Sequence, residues 1–191
     1  QELEADQIGL RLLTATSQSG RGMLETFERF AQQEFLSDGY KDPFVRSHPV
    51  ATDRLNQLRE RAQATPYFGT KDPPALQLRH DLMRAKLSGY IENPAIVQRR
   101  YPPSDQSLPA RYARAIALNA SGKFAEADPQ LDALIREKPD NAYFWEVKGD
   151  WLYRRGKPRE SIEPLRHALK LVGGDAPLIR IQLAQALLAL D

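Results

Sequence analysis

Two stretches decide the fold: ALNASGKFAEADPQL at residues 117–131 and WLYRRGKPRESIEPL at 151–165. They carry Gly122 and Gly156, Ala127 and Ser161, and Leu131 and Leu165, each pair 34 residues apart. Small residues at these spacings let two helices cross closely, and the glycines mark the turns between them. A period of that length built from paired helices stacks unit upon unit into an α-helical array. No sustained alternation of polar and apolar residues competes with it, so the class is all-α.

A 34-residue helix pair is the period of the tetratricopeptide repeat. The first copy runs through Ala115, Leu118, Gly122, Ala127 and Leu131 to Pro139; the second through Trp145, Gly149, Leu152, Gly156, Leu165 and Ala168. A third begins at Pro177, with Leu183, Ala184 and Leu187 on its pattern if one residue is inserted at VGGD. Trp145 and Leu165 are expected between paired helices. The inner face of such an array would present Tyr112, Asn119, Tyr143, Glu146, Asp150, Tyr153 and Arg154, either to a protein or peptide ligand or only to neighbouring helices.

Working back toward the start, the break YPPSDQSLP suggests two domains, 1–104 and 105–191. The first reads as further helices. One from about Leu3 to Ser17 has Ile8, Leu12 and Leu13 on one face; RGMLETFERFAQQEFL has a stripe of Met23, Phe27, Phe30 and Ala31, extended by Phe35 and Leu36. A loop, SDGYKDPFVRSHP, precedes a helix with Leu55, Leu58 and Ala62 buried, and Pro49 suits its first turn. The next helix, from Pro74, carries Leu76, Leu78, Leu82 and Leu87 opposite Arg79, His80 and Arg84.

Of the chain's 191 residues, 27 are basic and 25 acidic, a formal net charge of +2. That balance argues against nucleic acid as the main partner. With 41% hydrophobic residues the chain can bury a core, and with no cysteine it has neither disulfides nor thiolate metal sites. No apolar run approaches the roughly 20 residues that span a bilayer. The chain starts at Gln1, inside a helix and with no signal peptide, which predicts a piece of something longer.

The opening QELEADQIGLRLL places Glu2 and Asp6 four residues apart on one helix face, with Glu4 nearly opposite. By position these acids are either the wet, dipole-favoured end of a core helix or a ligand and its support. Further on, SHPVATDRL sets Arg54 six residues after His48. An ExxxD helix, a His-Pro loop, that arginine and then tetratricopeptide repeats form a combination that resembles the BepA-like branch of the HtpX-type periplasmic zinc metallopeptidases. The resemblance covers nearly the whole chain and is least specific from Thr65 to Pro103.

The resemblance implies that Glu2 is the third zinc ligand and Asp6 the acid that orients a ligating histidine. It implies that His48 can close the zinc site as a fourth ligand and that Arg54 lies near the cleft. Zinc would be the cofactor, misassembled envelope proteins the substrates, and the outer-membrane assembly machinery a partner. The chain departs from the family in one large respect. Its three histidines, His48, His80 and His167, include none that begins an HExxH. Two ligands and the general-base glutamate are therefore missing, and the chain is expected to hold no catalytic zinc and to be inactive alone. His80 and His167 read as solvated or packed. Ser47 or His48 could instead simply cap the helix at Pro49. The alternative function is a non-enzymatic repeat adaptor or chaperone-like module in which Glu2 and His48 are incidental.

Overall fold

The computed structural model describes residues 2–37 and 51–190, without the side chains of 34–37 and 51. It is all-α: the described residues form ten helices and no strand. They fall into two compact units, Gln1–Pro74 and Ala75–Asp191. The division comes 30 residues before the expected boundary at 104/105, so two helices following Pro74 group with the repeating helices.

The first unit contains α1 (Glu2–Ala15), α2 (Arg21–Ser37) and α3 (Ala51–Gln63). Their shared core is Leu10, Leu24, Phe27, Leu55, Leu58 and Ala62. The face of α3 is the one its sequence predicts. That of α1 is not: Ile8 and Leu12 are exposed, Leu12 to 63%, and the buried residues are Asp6 and Leu10. Leu10 lies one turn beyond Asp6, so the stripe of α1 that carries the acids is the one turned inward. On α2, Leu24 joins Phe27 in the core, whereas Phe30 is half exposed with its ring edge-on to Phe27 at 6.4 Å. Gly20 closes the corner between α1 and α2, where an added Cβ would lie 2.7 Å from Leu10.

The second unit holds α4 (Pro74–Ile91), α5 (Pro94–Arg100), α6 (Leu108–Ala120), α7 (Phe124–Glu137), α8 (Ala142–Arg154), α9 (Pro158–Val172) and α10 (Pro177–Leu188). Three helix starts have side-chain caps: Asn93, Ser107 and Asn141 accept from Ala95, Ala110 and Tyr143 backbone N–H groups. The pair α6/α7 and the pair α8/α9 repeat each other in detail. Gly122 and Gly156 both have φ +74°, a conformation glycine adopts without penalty. Lys123 N–H donates to Leu118 O and Lys157 N–H to Leu152 O, closing both turns alike. Ala127 and Ser161 are fully buried at equivalent places, as are Leu131 and Leu165.

Three expectations on burial need correction. In α4 the buried residues are Ala85, Ser88 and Gly89, while Leu76 and Leu87 are exposed. Small residues win because α4 backs closely onto α6: a Cβ on Gly89 would lie 2.7 Å from Ile116 Cβ. In α10 the buried pair is Ile179 and Ala186, with Leu183 partly covered between them. Trp145 is only partly buried; its indole N–H donates to Pro139 O at 2.8 Å, and its ring meets His167 at 4.5 Å.

At the centre of the α8/α9 pair, an added Cβ on Gly149 would lie 2.5 Å from Leu165 Cγ. Leu165 is fully buried there. Leu165→Ala is expected to cost about 2–5 kcal/mol. Gly149→Ala is expected to destabilise through overpacking by about 1–3 kcal/mol. Chemical denaturation followed by tryptophan fluorescence reads both, since Trp145 and Trp151 lie in this unit. A Leu165→Ala loss below about 1 kcal/mol would contradict the packing.

Candidate functional site

In the first unit the two acids of α1 and the arginine of α3 form one assembly. Arg54 donates from Nε to Asp6 Oδ2 and from Nη2 to Asp6 Oδ1, each at 2.7 Å. Its remaining nitrogen, Nη1, donates to Glu2 Oε2 at 3.1 Å. The guanidinium lies 4.5 Å from the centre of the Phe27 ring, adding a cation–π contact. Asp6 is 5% exposed, so its charge is compensated almost wholly by this two-pronged pair. Glu2 and Arg54 are about a quarter exposed at their side chains. The acid pair is thus more than a solvated first turn: one acid is buried as an anchor and the other is held at the rim.

For metal chemistry, the unit offers Glu2, a carboxylate oriented by a charged partner. Among the described residues no three His, Asp or Glu side chains gather into a group that could hold an ion. Carboxylate oxygen is an ordinary zinc ligand, so Glu2 fits one coordination position rather than a whole site. His48 lies outside the described residues. Glu4 is exposed.

In the second unit, the residues expected on an inner face divide into engaged and open ones. Glu146 is buried and accepts from Lys86 Nζ and, at 3.0 Å, from Gln182 Nε2. Asp150 is also buried; Arg154 Nε donates to both its oxygens at 2.8 and 2.9 Å. The Tyr90 hydroxyl reaches Asp150 at 3.5 Å. Tyr112 is fully buried, with its hydroxyl donating to Tyr143 O at 3.4 Å. Burial first, and then the Asp150 carboxylate, push the Tyr90 phenol above its ordinary range. Burial and Glu146 do the same to Tyr112. Both hydroxyls therefore stay protonated donors. Hydrogen bonding to Asp150 raises the Arg154 guanidinium in turn. Asn119 belongs to a different cluster and accepts from Arg155, which also grips Asp128 at 2.8 Å. Tyr143 is exposed, and Tyr153 is partly buried against α9 and α10 residues.

The family resemblance implied a place near the cleft for Arg54 but did not pair it with Asp6. The available signal was an inward acid at i+4 from Glu2 together with a single arginine on the first turn of a short amphipathic helix. Sequence reasoning also missed Lys86, Tyr90 and Gln182. Lys86 and Tyr90 stand on the polar side of α4, which reads as a solvated face.

Among known proteins, the model of Peptidase family M48 matches residues 1–62. The chain is 27% identical over 197 residues to the beta-barrel assembly-enhancing protease of Yersinia pestis, covering 97% of this chain and 38% of that one. It is 26% identical over 196 residues to the protein of the same name from Escherichia coli, with 98% and 38% covered. The chain therefore spans less than two-fifths of the length of these relatives. No solved structure matches.

Arg54→Ala strands a buried Asp6 and is expected to cost about 3–5 kcal/mol, whereas Asp6→Ala removes the buried charge itself and leaves a cation that is a quarter exposed, and should cost less. Amide hydrogen exchange at Leu58 and Ala62 reports the first unit specifically. A double-mutant coupling below about 0.5 kcal/mol would mean the pair does not hold α1 on α3. Over the 62 residues in which Glu2, Asp6 and Arg54 meet, the chain is similar to Peptidase family M48, and over nearly its whole length it resembles the beta-barrel assembly-enhancing proteases.

Proposed function

We propose that this chain is part of a zinc-dependent endopeptidase of envelope protein quality control, working in the periplasm. The observation that carries this reading is the Glu2–Asp6–Arg54 assembly, which falls within the 62 residues similar to Peptidase family M48. Glu2 is the zinc ligand this chain contributes; the HExxH histidines and glutamate come from a segment outside it. Zinc, when bound, supplies a Lewis acid and an activated water. Asp6 is a positioning residue: it fixes the guanidinium, the guanidinium fixes Glu2, and its oxygens keep lone pairs for the N–H of a ligating histidine. Arg54, at the edge of the cleft, orients Glu2.

His48 is the gate. A neutral imidazole in the open coordination position would take the place of the catalytic water and keep the enzyme latent. The helix pairs of the second unit are tetratricopeptide repeats that hold a protein substrate or a partner such as the outer-membrane assembly machinery. Support comes from their 34-residue period, their matched turns and the name of the relatives.

The test uses the full-length protein. Glu2→Gln is expected to abolish zinc retention and proteolysis together while the fold persists. Unchanged zinc content and activity would shift the reading to a non-enzymatic repeat adaptor. The isolated chain should bind zinc no tighter than micromolar in calorimetric titration. His48→Ala should raise proteolysis, including self-cleavage, with zinc retained; Arg54→Ala should lower it. If His48 only caps a helix, its loss costs about 1 kcal/mol of stability and leaves proteolysis at or below normal.

A further inference from the structure

The second unit contains a groove of about 510 Å³ beside α4, bordered by α6 and the start of α8. Its size is that of a ligand site. The floor is apolar, built from Leu82, Met83 and the buried rings of Tyr112 and Phe144, which pack edge-on at 4.8 Å. The rim differs from the floor: apart from His80, which lies against Asp81, and the Tyr143 hydroxyl, its polar groups are donors. Arg79 has no side-chain partner among the described residues. Lys86 gives one of its three N–H bonds to Glu146 and keeps the others. Asn141 spends its oxygen on capping α8, so its NH₂ group is what remains to offer. No Asp or Glu lines the groove among the described residues. The nearest acid on α4, Asp81, is already engaged by Gln77 at 2.9 Å and His80 at 3.5 Å.

Arg79 and Lys86 are seven residues apart on one helix, about 10 Å along its axis. A segment in polyproline II conformation, with three residues per turn and about 3.1 Å rise per residue, covers that distance in three residues and brings side chains i and i+3 to one face. Two carboxylates at i and i+3 of such a segment would therefore reach both cations while the residues between them lie over Leu82 and Met83. A chain-terminal carboxylate would satisfy only one end.

We propose that this groove binds an internal acidic–apolar segment of a protein client, with two acidic side chains three residues apart flanking large apolar ones. The inference rests on the reading of the second unit as the part that holds protein. It assigns that role to the α4 groove, with Arg79 as its selective cation, rather than to the inner-face residues Glu146 and Asp150, whose carboxylates are consumed internally.

The experiment measures fluorescence anisotropy of a labelled, end-blocked peptide Gly-Glu-Leu-Phe-Glu-Gly with the whole chain. Three companion peptides are used: Gln for both Glu, Ala for both Leu and Phe, and Gly-Gly-Leu-Phe with a free carboxyl end. Arg79 and Met83 are both exposed, so Arg79→Glu and Met83→Ala leave the fold intact. The acidic–apolar peptide is expected to bind at least about tenfold tighter than each companion, and Arg79→Glu to weaken it by about tenfold or more. Met83→Ala should weaken it severalfold. Equal binding of the Gln peptide, a preference for the free carboxyl end, or indifference to Arg79→Glu would overturn the proposal. Unfolded carboxymethylated lactalbumin serves as a general client in parallel. If it binds wild type and Arg79→Glu alike, the groove is wrong and the client-holding reading stands. If neither lactalbumin nor peptide binds, both are wrong.

Discussion

The first unit depends on one ion pair. Three helices of this length bury few large side chains, and among the described residues six make up their buried cluster. Asp6 sits among them, almost fully desolvated, which would be prohibitive for an unpaired carboxylate. The side-on grip of Arg54 answers both oxygens at once, and a planar guanidinium is the group that can do so. A lysine there would deliver a point charge and satisfy one oxygen well. The pair therefore sets the rotation of α1: with Asp6 fixed inward, Leu10 follows it into the core and Ile8 and Leu12 are carried to the surface.

The second unit is organised by a different constraint, the absence of side-chain bulk. Gly89 against Ile116 and Gly149 against Leu165 allow backbones to approach to distances no other residue permits. Apolar burial then does the rest, through Ile116, Leu131, Leu134, Phe144 and Val147. The buried acids are tolerated because each has an internal partner: Glu146 with Lys86 and Gln182, Asp150 with Arg154 and Tyr90. A face so satisfied resists rearrangement and gains little from a ligand.

How far the sequence discloses the fold follows from this contrast. Period and turn chemistry are local, so residue spacing alone places Gly122 and Gly156, Ala127 and Ser161, and Leu131 and Leu165. The face of α3 is equally plain, since Leu55, Leu58 and Ala62 repeat at helical spacing. The face of α1 is misjudged because hydrophobicity counts Asp6 as outward. Only the arginine 48 residues later makes it an inward group. The face of α4 fails for a related reason. Leu76, Leu78, Leu82 and Leu87 are the apolar signal on that helix, yet the close approach to α6 selects Ala85, Ser88 and Gly89. Of the proposed site, spacing puts Glu2 and Asp6 on one face and the family resemblance adds Arg54, but neither joins the arginine to the acids.

The joining has a consequence for the proposed metal chemistry. A guanidinium 3.1 Å from Glu2 is a fixed positive charge beside the oxygen pair expected to face a dication, and by itself it would weaken that binding. Asp6 offsets this. Its two short bonds draw Arg54 toward the interior, and its own negative charge leaves the three-residue group with a net charge of −1 rather than zero. Removing Asp6 would therefore harm a metal site in two ways: Arg54 would lose the two bonds that draw it away from Glu2, and the three-residue group would lose its net negative charge. In the proposed enzyme the acid that touches no metal thus governs how well the one that does can serve, and this fits its position as the buried partner and that of Glu2 at the rim.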